Sequence, residues 1–114
     1  MSAAVHLPVI PYAVEAPSRE AIDALLQPLL LEFGTDWCGF CQAAQPLIAK
    51  ALAARPGVRH LKIEDGRGRP LGRSFGVKLW PTLVFLHQGR ELARLVRPGD
   101  VQAVEAALRE LPAA

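Results

Sequence analysis

Cysteine is scarce in this chain, and its 114 residues include only two, Cys38 and Cys41. Two cysteines cannot build the set of several disulfides that holds many small secreted domains together. A structural zinc site usually needs about four ligands, and the chain has no second C-x-x-C pair and only three histidines, His6, His60 and His87. We therefore expect neither a disulfide framework nor a bound metal.

Long apolar runs are also absent, although 51% of the residues are hydrophobic. No stretch approaches the roughly 18 apolar residues of a membrane span, so no membrane association is expected. The N-terminal sequence MSAAVHLPVIPYAVEAP has neither the basic start nor the uninterrupted apolar segment of a secretion signal, which predicts a cytoplasmic protein. The length suits a single domain over residues 1–114, in which residues 1–17 form an extended segment that could hold one short strand near Tyr12–Val14. Nothing in the sequence requires more than a monomer.

A strong net charge is missing as well, since the formal charge at pH 7 is only +2. The positive excess lies in residues 55–78, which contain seven basic and two acidic residues. We interpret this segment as a solvated loop and short helix, with docking of an acidic partner or a nucleic acid as the alternatives. Because no aromatic residues interleave with its arginines in the manner of a single-strand binder, we expect no nucleic-acid partner.

The hydrophobic pattern predicts alternating helices and strands along the chain. Ser18 is a good N-cap for a first helix, and the run LLLEFG at residues 29–34 is typical of a buried strand in which the acid Glu32 is out of place. The further predicted elements are a helix from the cysteines to Arg55–Gly57, a strand at Val58–Glu64, a short helix near Leu71–Phe75, a hairpin turned at Gln88-Gly89 and a helix capped by Asp100. This order predicts an α/β fold with a central mixed β-sheet flanked by helices on both faces.

Cys38 and Cys41 lie where the predicted strand turns into the following helix. The free N–H groups and the dipole at a helix N-terminus favour a thiolate, which is the reactive form of cysteine. Cys41 follows one helical turn later, so a disulfide between the two can form and break with little backbone movement. A C-x-x-C pair after a buried strand in a βαβ pattern favours a redox function. Two inert core cysteines and part of a metal site are the alternatives.

Two segments of the sequence resemble the thioredoxin family. LLLEFGTDWCGFCQAAQP is similar to the family's active-site segment, with an apolar strand, an acid, a tryptophan before the first cysteine and a proline five residues after the second. FGVKLWPTLVFLHQG resembles the later segment, in which a glycine-containing turn leads into a cis-proline and a strand. The similarity extends from about residue 18 onward. It implies a thioredoxin-like fold with a CGFC active site.

The resemblance also implies roles in catalysis. Cys38 would be the exposed nucleophile, and Cys41 the buried resolving cysteine. Glu32 takes the place of the family's buried acid and would exchange a proton with Cys41, with burial raising the pKa of the carboxyl. His60 falls where the family often has a lysine near that acid, and we assign it no role.

The implied substrate site departs from the family pattern at three positions. Phe40 replaces the usual proline between the cysteines, Trp80 precedes the cis-proline where smaller residues are usual, and Arg97 stands where a glycine commonly lines the groove. The backbone of Trp80 would pair with an extended substrate segment, and Arg97 would crowd the groove or select acidic substrates. The full predicted set of substrate-binding residues is Trp37, Gly39, Phe40, Trp80, Pro81 and Arg97.

The predicted function is that of a thiol–disulfide oxidoreductase that reduces protein disulfides. An external electron donor such as a thioredoxin reductase would restore the dithiol, and no bound cofactor is needed because the electrons reside on the two sulfurs. A disulfide oxidant or isomerase is one alternative. A binding module with a non-catalytic or regulatory cysteine pair is another. The departures at Phe40, Trp80 and Arg97 favour a restricted set of partners.

Overall fold

The computed structural model of the protein describes residues 9–113, which fold around one four-stranded sheet with the strand order β2-β1-β3-β4. Strand β1 pairs in parallel with β2 and antiparallel with β3, and β3 pairs antiparallel with β4. The predicted mixed sheet is therefore confirmed. The elements in order are α1 (Arg19–Asp23), β1 (Leu29–Gly34), α2 (Gly39–Ala53), β2 (Arg59–Glu64), α3 (Pro70–Ser74), β3 (Thr82–His87), β4 (Arg90–Val96) and α4 (Val101–Leu108).

Helices cover both faces of the sheet, as predicted. Successive side chains of a strand point to opposite faces of the sheet. Because β1 and β3 are apolar at most positions, both strands contribute to hydrophobic clusters on the two faces. One cluster joins the sheet to α2 and α4 and contains Leu30, Ala44, Ile48, Leu83, Phe85, Val104 and Leu108. The other joins it to α1 and α3 and contains Ile22, Leu29, Leu31, Phe33, Leu71, Phe75 and Val84. Glu32 shares the alternation of Leu30 and so points toward the α2 face.

The strand predicted near Tyr12–Val14 is reduced to a single bridge between Ala13 and Ile63 at the outer edge of β2. The Ala13 amide donates to the carbonyl of Lys62 at 2.8 Å, and its carbonyl accepts from the amide of Glu64 at 2.9 Å. Proline has no N–H group, and the prolines of this segment prevent a longer ladder. The bridge holds the residue before it, Tyr12, beside the sheet. Residues 1–8 of the predicted N-terminal segment, including His6, lie outside the described residues.

Helices α1 and α4 begin at side-chain caps that the sequence predicts. The Ser18 hydroxyl accepts from the Ala21 amide at 3.1 Å, and the Asp100 carboxylate accepts from the Ala103 amide at 2.8 Å. The longest helix, α2, has 15 residues. Within residues 9–113, no helix combines the length and apolar character needed to cross a membrane.

The β3–β4 hairpin turns at Gln88 and Gly89, as predicted. Both residues have positive φ, 50° and 82°, which a tight two-residue hairpin turn requires. At the open end of the hairpin, the amide of Arg97 donates to the carbonyl of Pro81 at 3.0 Å. The hairpin therefore places Arg97 beside the segment that precedes β3.

Several basic residues of the 55–78 segment stabilise the fold. The Arg55 guanidinium donates to the carbonyl of Leu108 at 2.6 Å and to two further carbonyls after α4. Arg69 pairs with Glu64 and donates to the carbonyl of Val14 at 2.9 Å. These contacts give part of the basic segment a structural role, whereas the sequence predicted only a solvated loop and short helix.

Candidate active site

The two cysteines lie at the first turn of α2, directly after the end of β1. Cys38 is the N-cap residue, with φ −78° and ψ 120°, and its Sγ accepts a hydrogen bond from the Cys41 amide at 3.2 Å. Both cysteines are free thiols. Cys38 is 8% exposed and Cys41 is 1% exposed, so the first sulfur is the more accessible of the two.

Cys41 lies in an environment that keeps its thiol protonated. Burial raises its pKa to about 11, and the neighbouring Cys38 adds to the rise. The backbone N–H of Thr35 and the hydroxyl of Tyr12 act in the opposite direction, because both stabilise a thiolate. At neutral pH this thiol is therefore ionised only to a very small extent. Any reaction in which Cys41 attacks another sulfur needs a group that takes its proton.

Gly34, the last residue of β1, leaves room for two other residues to meet. A Cβ atom at this position would lie 2.6 Å from Cys41 Sγ, 2.7 Å from the Tyr12 hydroxyl oxygen and 2.8 Å from the ring carbon that bears it. These distances are shorter than any real contact of a Cβ atom. The absence of a side chain at Gly34 is therefore what allows the Tyr12 hydroxyl to lie beside the buried sulfur.

Glu32 is fully buried beneath this pair and is hydrogen-bonded on both carboxylate oxygens. Its Oε2 accepts from the Tyr12 hydroxyl and from Gln45 Nε2, the latter at 2.8 Å. Its Oε1 lies 2.8 Å from Nε2 of His60, whose side chain is 24% exposed. Three elements thus supply partners to one carboxylate: the N-terminal bridge segment, α2 and β2.

The predicted effect of burial on Glu32 is wrong in its net direction. Burial is the largest single influence and raises the pKa of the carboxyl, but hydrogen bonds from His60, Tyr12 and Gln45 together outweigh it. The pKa of Glu32 is therefore lower than that of an ordinary glutamate. The carboxyl is therefore ionised at neutral pH and free to accept a proton, which it binds more weakly than an ordinary glutamate does.

The solvent side of the dithiol is an aromatic surface. Trp37 is 74% exposed and Phe40 is 58% exposed. The rings of Trp37 and Trp80 meet edge to face with their centroids 5.8 Å apart, and Trp80 Nε1 donates to Asp65 Oδ2 at 2.9 Å. Trp80 also packs against the small cluster of Tyr12, Cys38 and Cys41. The Trp80–Pro81 peptide bond is cis.

Arg97 closes this surface on one side. Its guanidinium lies 3.8 Å from the centroid of the Phe40 ring, and its Nε donates to the carbonyl oxygen of Trp80 at 2.8 Å. Its backbone φ is 51°, in the left-handed region that glycine adopts more easily than arginine. The Trp80 carbonyl, which the sequence suggested as a partner for an extended substrate, is occupied by this side chain.

The structure thus brings the predicted residues together. It adds Tyr12 and Gln45, which the sequence did not single out, and it gives a partner to His60, for which the sequence predicted no role. Trp37, Phe40, Trp80 and Arg97 surround the sulfurs on the solvent side, and Gly39 is the exposed first residue of α2. Tyr12, Gln45 and His60 join Glu32 on the inner side. A signal existed for Gln45, since it follows Cys41 by one helical turn. The resemblance placed His60 near the acid, and in the parallel pairing of β1 and β2 it lies opposite Leu30, two residues from Glu32.

No metal centre is formed by these groups. Among residues 9–113, no set of three or more histidine, cysteine, aspartate or glutamate side chains is arranged to hold a metal ion. The titratable residues around the dithiol instead pair with one another.

Known proteins of similar sequence and structure share this arrangement of elements. A family model described as Thioredoxin matches residues 13–110. Thioredoxin 2 from Pseudomonas aeruginosa PAO1, solved in its reduced form, is 60% identical, with a TM-score of 0.79, and the match covers 88% of this chain and 93% of that chain. The thioredoxin of Chlamydia muridarum is 36% identical over 69 residues, which are 60% of this chain and 67% of that protein.

A longer protein is also related. Protein disulfide-isomerase A2 from Pongo abelii is 46% identical over 65 residues, which are 54% of this chain. This chain spans only 12% of the isomerase's length. The resemblance found in the sequence is confirmed: the chain belongs to the thioredoxin family, and the spacing of Cys38 and Cys41 fits a C-x-x-C motif.

Proposed function

We propose that this protein reduces disulfide bonds in other proteins, with Cys38 as the nucleophile and Cys41 as the resolving cysteine. The observation that carries the proposal is the unequal placement of two free thiols at one helix N-terminus. Both sulfurs are largely buried, but Cys38 is the more exposed and is the one that a substrate disulfide can reach, whereas Cys41 is enclosed behind it. Such an arrangement suits two successive thiol–disulfide exchanges.

In the first exchange, the Cys38 thiolate attacks one sulfur of the substrate disulfide. The substrate S–S bond breaks, one substrate thiolate leaves, and Cys38 becomes part of a mixed disulfide. The exposed rings of Trp37 and Phe40 provide an apolar surface against which the substrate chain can pack. Gly39 is exposed beside these rings, and a Cβ atom there would lie in open space.

In the second exchange, Cys41 attacks Cys38 Sγ and displaces the remaining substrate thiolate. Two electrons have then passed to the substrate, and the protein holds a Cys38–Cys41 disulfide. An external dithiol or a reductase of the thioredoxin-reductase type must return these electrons. No bound cofactor takes part in either exchange.

Trapping of intermediates tests this assignment. We expect Cys38→Ala to abolish reduction of insulin with dithiothreitol as the electron donor. We expect Cys41→Ser to accumulate a mixed disulfide that mass spectrometry detects on Cys38. A Cys41→Ser protein that forms no such adduct would contradict the exchange mechanism. A Cys38→Ser, Cys41→Ser protein that keeps its affinity for partner proteins would favour a binding module.

The direction of electron flow needs its own measurement, because several relatives are protein disulfide-isomerases. A reduction potential near −270 mV for the Cys38–Cys41 pair, measured against a glutathione buffer, would support a reductase. A value between about −180 and −120 mV would place the protein among isomerases and oxidants. The monomeric state and the cytoplasmic location stay predictions, and size-exclusion chromatography of the purified chain tests the first.

We also propose that Arg97 restricts the substrates to those with an acidic residue beside the disulfide. A substrate strand that pairs with the Trp80 carbonyl must first displace the Arg97 Nε. Among residues 9–113, Arg97 has no carboxylate within salt-bridge distance, so a substrate carboxylate would offset the contacts that the guanidinium gives up.

Two matched peptides test this selectivity. Each carries one disulfide, flanked by glutamate in one peptide and by lysine in the other. We expect a higher kcat/KM for the glutamate peptide, and we expect Arg97→Gln to reduce the preference by about tenfold, as for a charge-assisted hydrogen bond of about 1.4 kcal/mol. Arg90→Gln, on the exposed start of β4, removes the same charge elsewhere and is the control. Equal ratios in all three proteins would contradict the proposal.

A further inference from the structure

The hydroxyl of Tyr12 lies between the buried thiol and the buried carboxylate. It donates a hydrogen bond to Glu32 Oε2, and its oxygen and Cys41 Sγ both lie within 2.7 Å of the position that a Gly34 Cβ would take. Tyr12 is itself 4% exposed, so bulk water does not surround this hydroxyl. The phenol thus hydrogen-bonds to the carboxylate on one side and is a neighbour of the Cys41 thiol on the other.

We propose that Tyr12 relays the proton of Cys41 to Glu32 while Cys41 attacks the mixed disulfide. This inference rests on the proposed role of Cys41 as the resolving cysteine. To the two cysteines it adds Tyr12 as a group that transfers the proton itself. Tyr12 belongs to the N-terminal bridge segment, well before the C-x-x-C pair in the sequence.

The relay balances in atoms and charge. The S–H bond of Cys41 breaks and its proton passes to the Tyr12 oxygen, while the Tyr12 O–H proton passes to Glu32 Oε2. The Cys41 sulfur forms a bond to Cys38 Sγ, and the substrate thiolate leaves with the electron pair of the broken S–S bond. Tyr12 ends as it began, as a neutral phenol, and Glu32 ends as a neutral carboxyl.

The acid–base properties of the three groups suit a transfer of this kind. Burial and the adjacent Glu32 carboxylate raise the pKa of Tyr12 far above its usual range, so the phenol always has a proton to donate. The lowered pKa of Glu32 keeps the acceptor ionised at neutral pH. Because Glu32 holds an added proton only weakly, the transfer must coincide with formation of the S–S bond, which removes the charge of the Cys41 thiolate.

The other charged and polar neighbours hold Tyr12 and Glu32 in place. Lys62 Nζ lies 4.5 Å from the centroid of the Tyr12 ring, and Asp36 Oδ1 accepts from the Tyr12 amide at 3.0 Å. His60 and Gln45 hold the Glu32 carboxylate from the other side. His60 is the titratable partner of Glu32 with a partly exposed side chain, so it gives the carboxyl a route to solvent after the transfer.

The two exchanges can be timed separately to test the relay. In a stopped-flow reaction with dithiobis(nitrobenzoate), the first chromophore released reports the attack by Cys38 and the second reports the attack by Cys41. We expect Tyr12→Phe to slow the second release by at least about tenfold near neutral pH, because general acid–base catalysis typically contributes about 100-fold or more, and to leave the first within about twofold. The deficit should shrink as the pH approaches about 11, where Cys41 ionises without help. The second release should be slower in deuterated water than in ordinary water for the unchanged protein, and this isotope effect should be absent from Tyr12→Phe.

Glu32→Gln provides the second variant, since it removes the acceptor and leaves Tyr12 in place. The relay predicts that the Tyr12→Phe, Glu32→Gln double variant is no slower than the slower single variant, because both changes interrupt one relay. A second release within about twofold of the unchanged protein, or one slowed equally at every pH, would overturn the relay. These outcomes are distinct from failure of the proposed function, in which Cys41→Ser traps no mixed disulfide at all.

Discussion

The two sides of the dithiol are built in opposite ways. The outer rim, defined as Trp37, Phe40, Trp80 and Arg97, consists of large side chains in contact with solvent. Its members touch through ring edges, one cation–π contact and single hydrogen bonds. The inner polar set, defined as Tyr12, Glu32, Gln45 and His60, surrounds a fully buried carboxylate with hydrogen bonds. Cys38 faces the rim, and Cys41 faces the inner set.

The difference separates two tasks of one active site. Buried polar groups are costly when unpaired, so a change in the inner polar set should affect both the stability of the fold and the chemistry of Cys41. Exposed side chains contribute little to stability, so a change in the outer rim should affect which substrates bind and how fast they react. Free energies of unfolding, measured for variants on both sides, therefore test whether the two tasks are separate.

Gly34→Ala should have the largest effect on stability. The added Cβ would lie 2.6 Å from Cys41 Sγ and would push it away from the Tyr12 hydroxyl. We expect a loss toward the upper end of the about 1–3 kcal/mol typical of overpacking, measured by urea unfolding of the reduced protein. Gly39→Ala is the matched control, because the same added methyl meets nothing within 4 Å and improves helix propensity. Equal losses in the two variants would show that the close contact around Gly34 has no energetic importance.

Glu32→Gln should have the next largest effect, and the effect should depend on pH. We expect a loss of about 1–3 kcal/mol near neutral pH, because Tyr12 and His60 lose their ionised partner. The folded-state pKa of Glu32 is lowered, so the carboxylate stabilises the fold above its unfolded pKa of about 4.3. This stabilisation is lost as the pH falls through the lower folded value.

Urea unfolding at a series of pH values measures this dependence. The difference between the unchanged protein and Glu32→Gln should be full above about pH 5 and should shrink at more acid pH. Glu110→Gln, at an exposed position after α4, should show no comparable difference. A difference that instead grew toward acid pH would mean that burial, and not hydrogen bonding, sets the pKa of Glu32.

The sequence predicts more of the outer rim than of the inner polar set. The cysteine pair, the helix caps, the Gln88-Gly89 turn and the order of elements all follow from patterns between near neighbours in the chain. The motif TDWCGFC also places Trp37 and Phe40 next to the sulfurs. What the motif does not reveal is that Arg97 reaches over Phe40 to the Trp80 carbonyl, because that contact depends on the position of the hairpin end.

The inner polar set depends on contacts that no local pattern contains. Tyr12 reaches Glu32 across 20 positions of sequence, and it does so through one bridge residue, Ala13. The pKa of Glu32 was predicted in the wrong direction for the same reason. Burial can be read from an apolar strand, whereas the number of hydrogen bonds that a buried acid receives depends on distant elements.

Trp80→Phe should have an intermediate effect, because Trp80 belongs to the rim but has one partner inside the fold. The change removes the hydrogen bond from Nε1 to Asp65, for which we expect a loss of about 1 kcal/mol in thermal or urea unfolding. Trp37→Phe, in which the more exposed partner of the ring pair is changed, should cost less than half of that. If Trp37→Phe were the more harmful change, the edge-to-face contact of the two rings, and not the hydrogen bond to Asp65, would stabilise this part of the site.

Arg97→Gly should have the smallest effect on stability and a clear effect on substrate choice. The variant loses the stacking on Phe40 and the hydrogen bond to Trp80, each worth about 1 kcal/mol, but it relieves a left-handed backbone that costs a non-glycine residue about 1–2 kcal/mol. We expect the free energy of unfolding to change by less than about 0.5 kcal/mol. Arg97→Ala loses the same contacts and keeps the unfavourable φ, so it should be less stable than Arg97→Gly by about 1 kcal/mol. If Arg97→Gly were strongly destabilised, the contacts of Arg97 would stabilise the fold, as those of the inner polar set do, and would not only cover the groove.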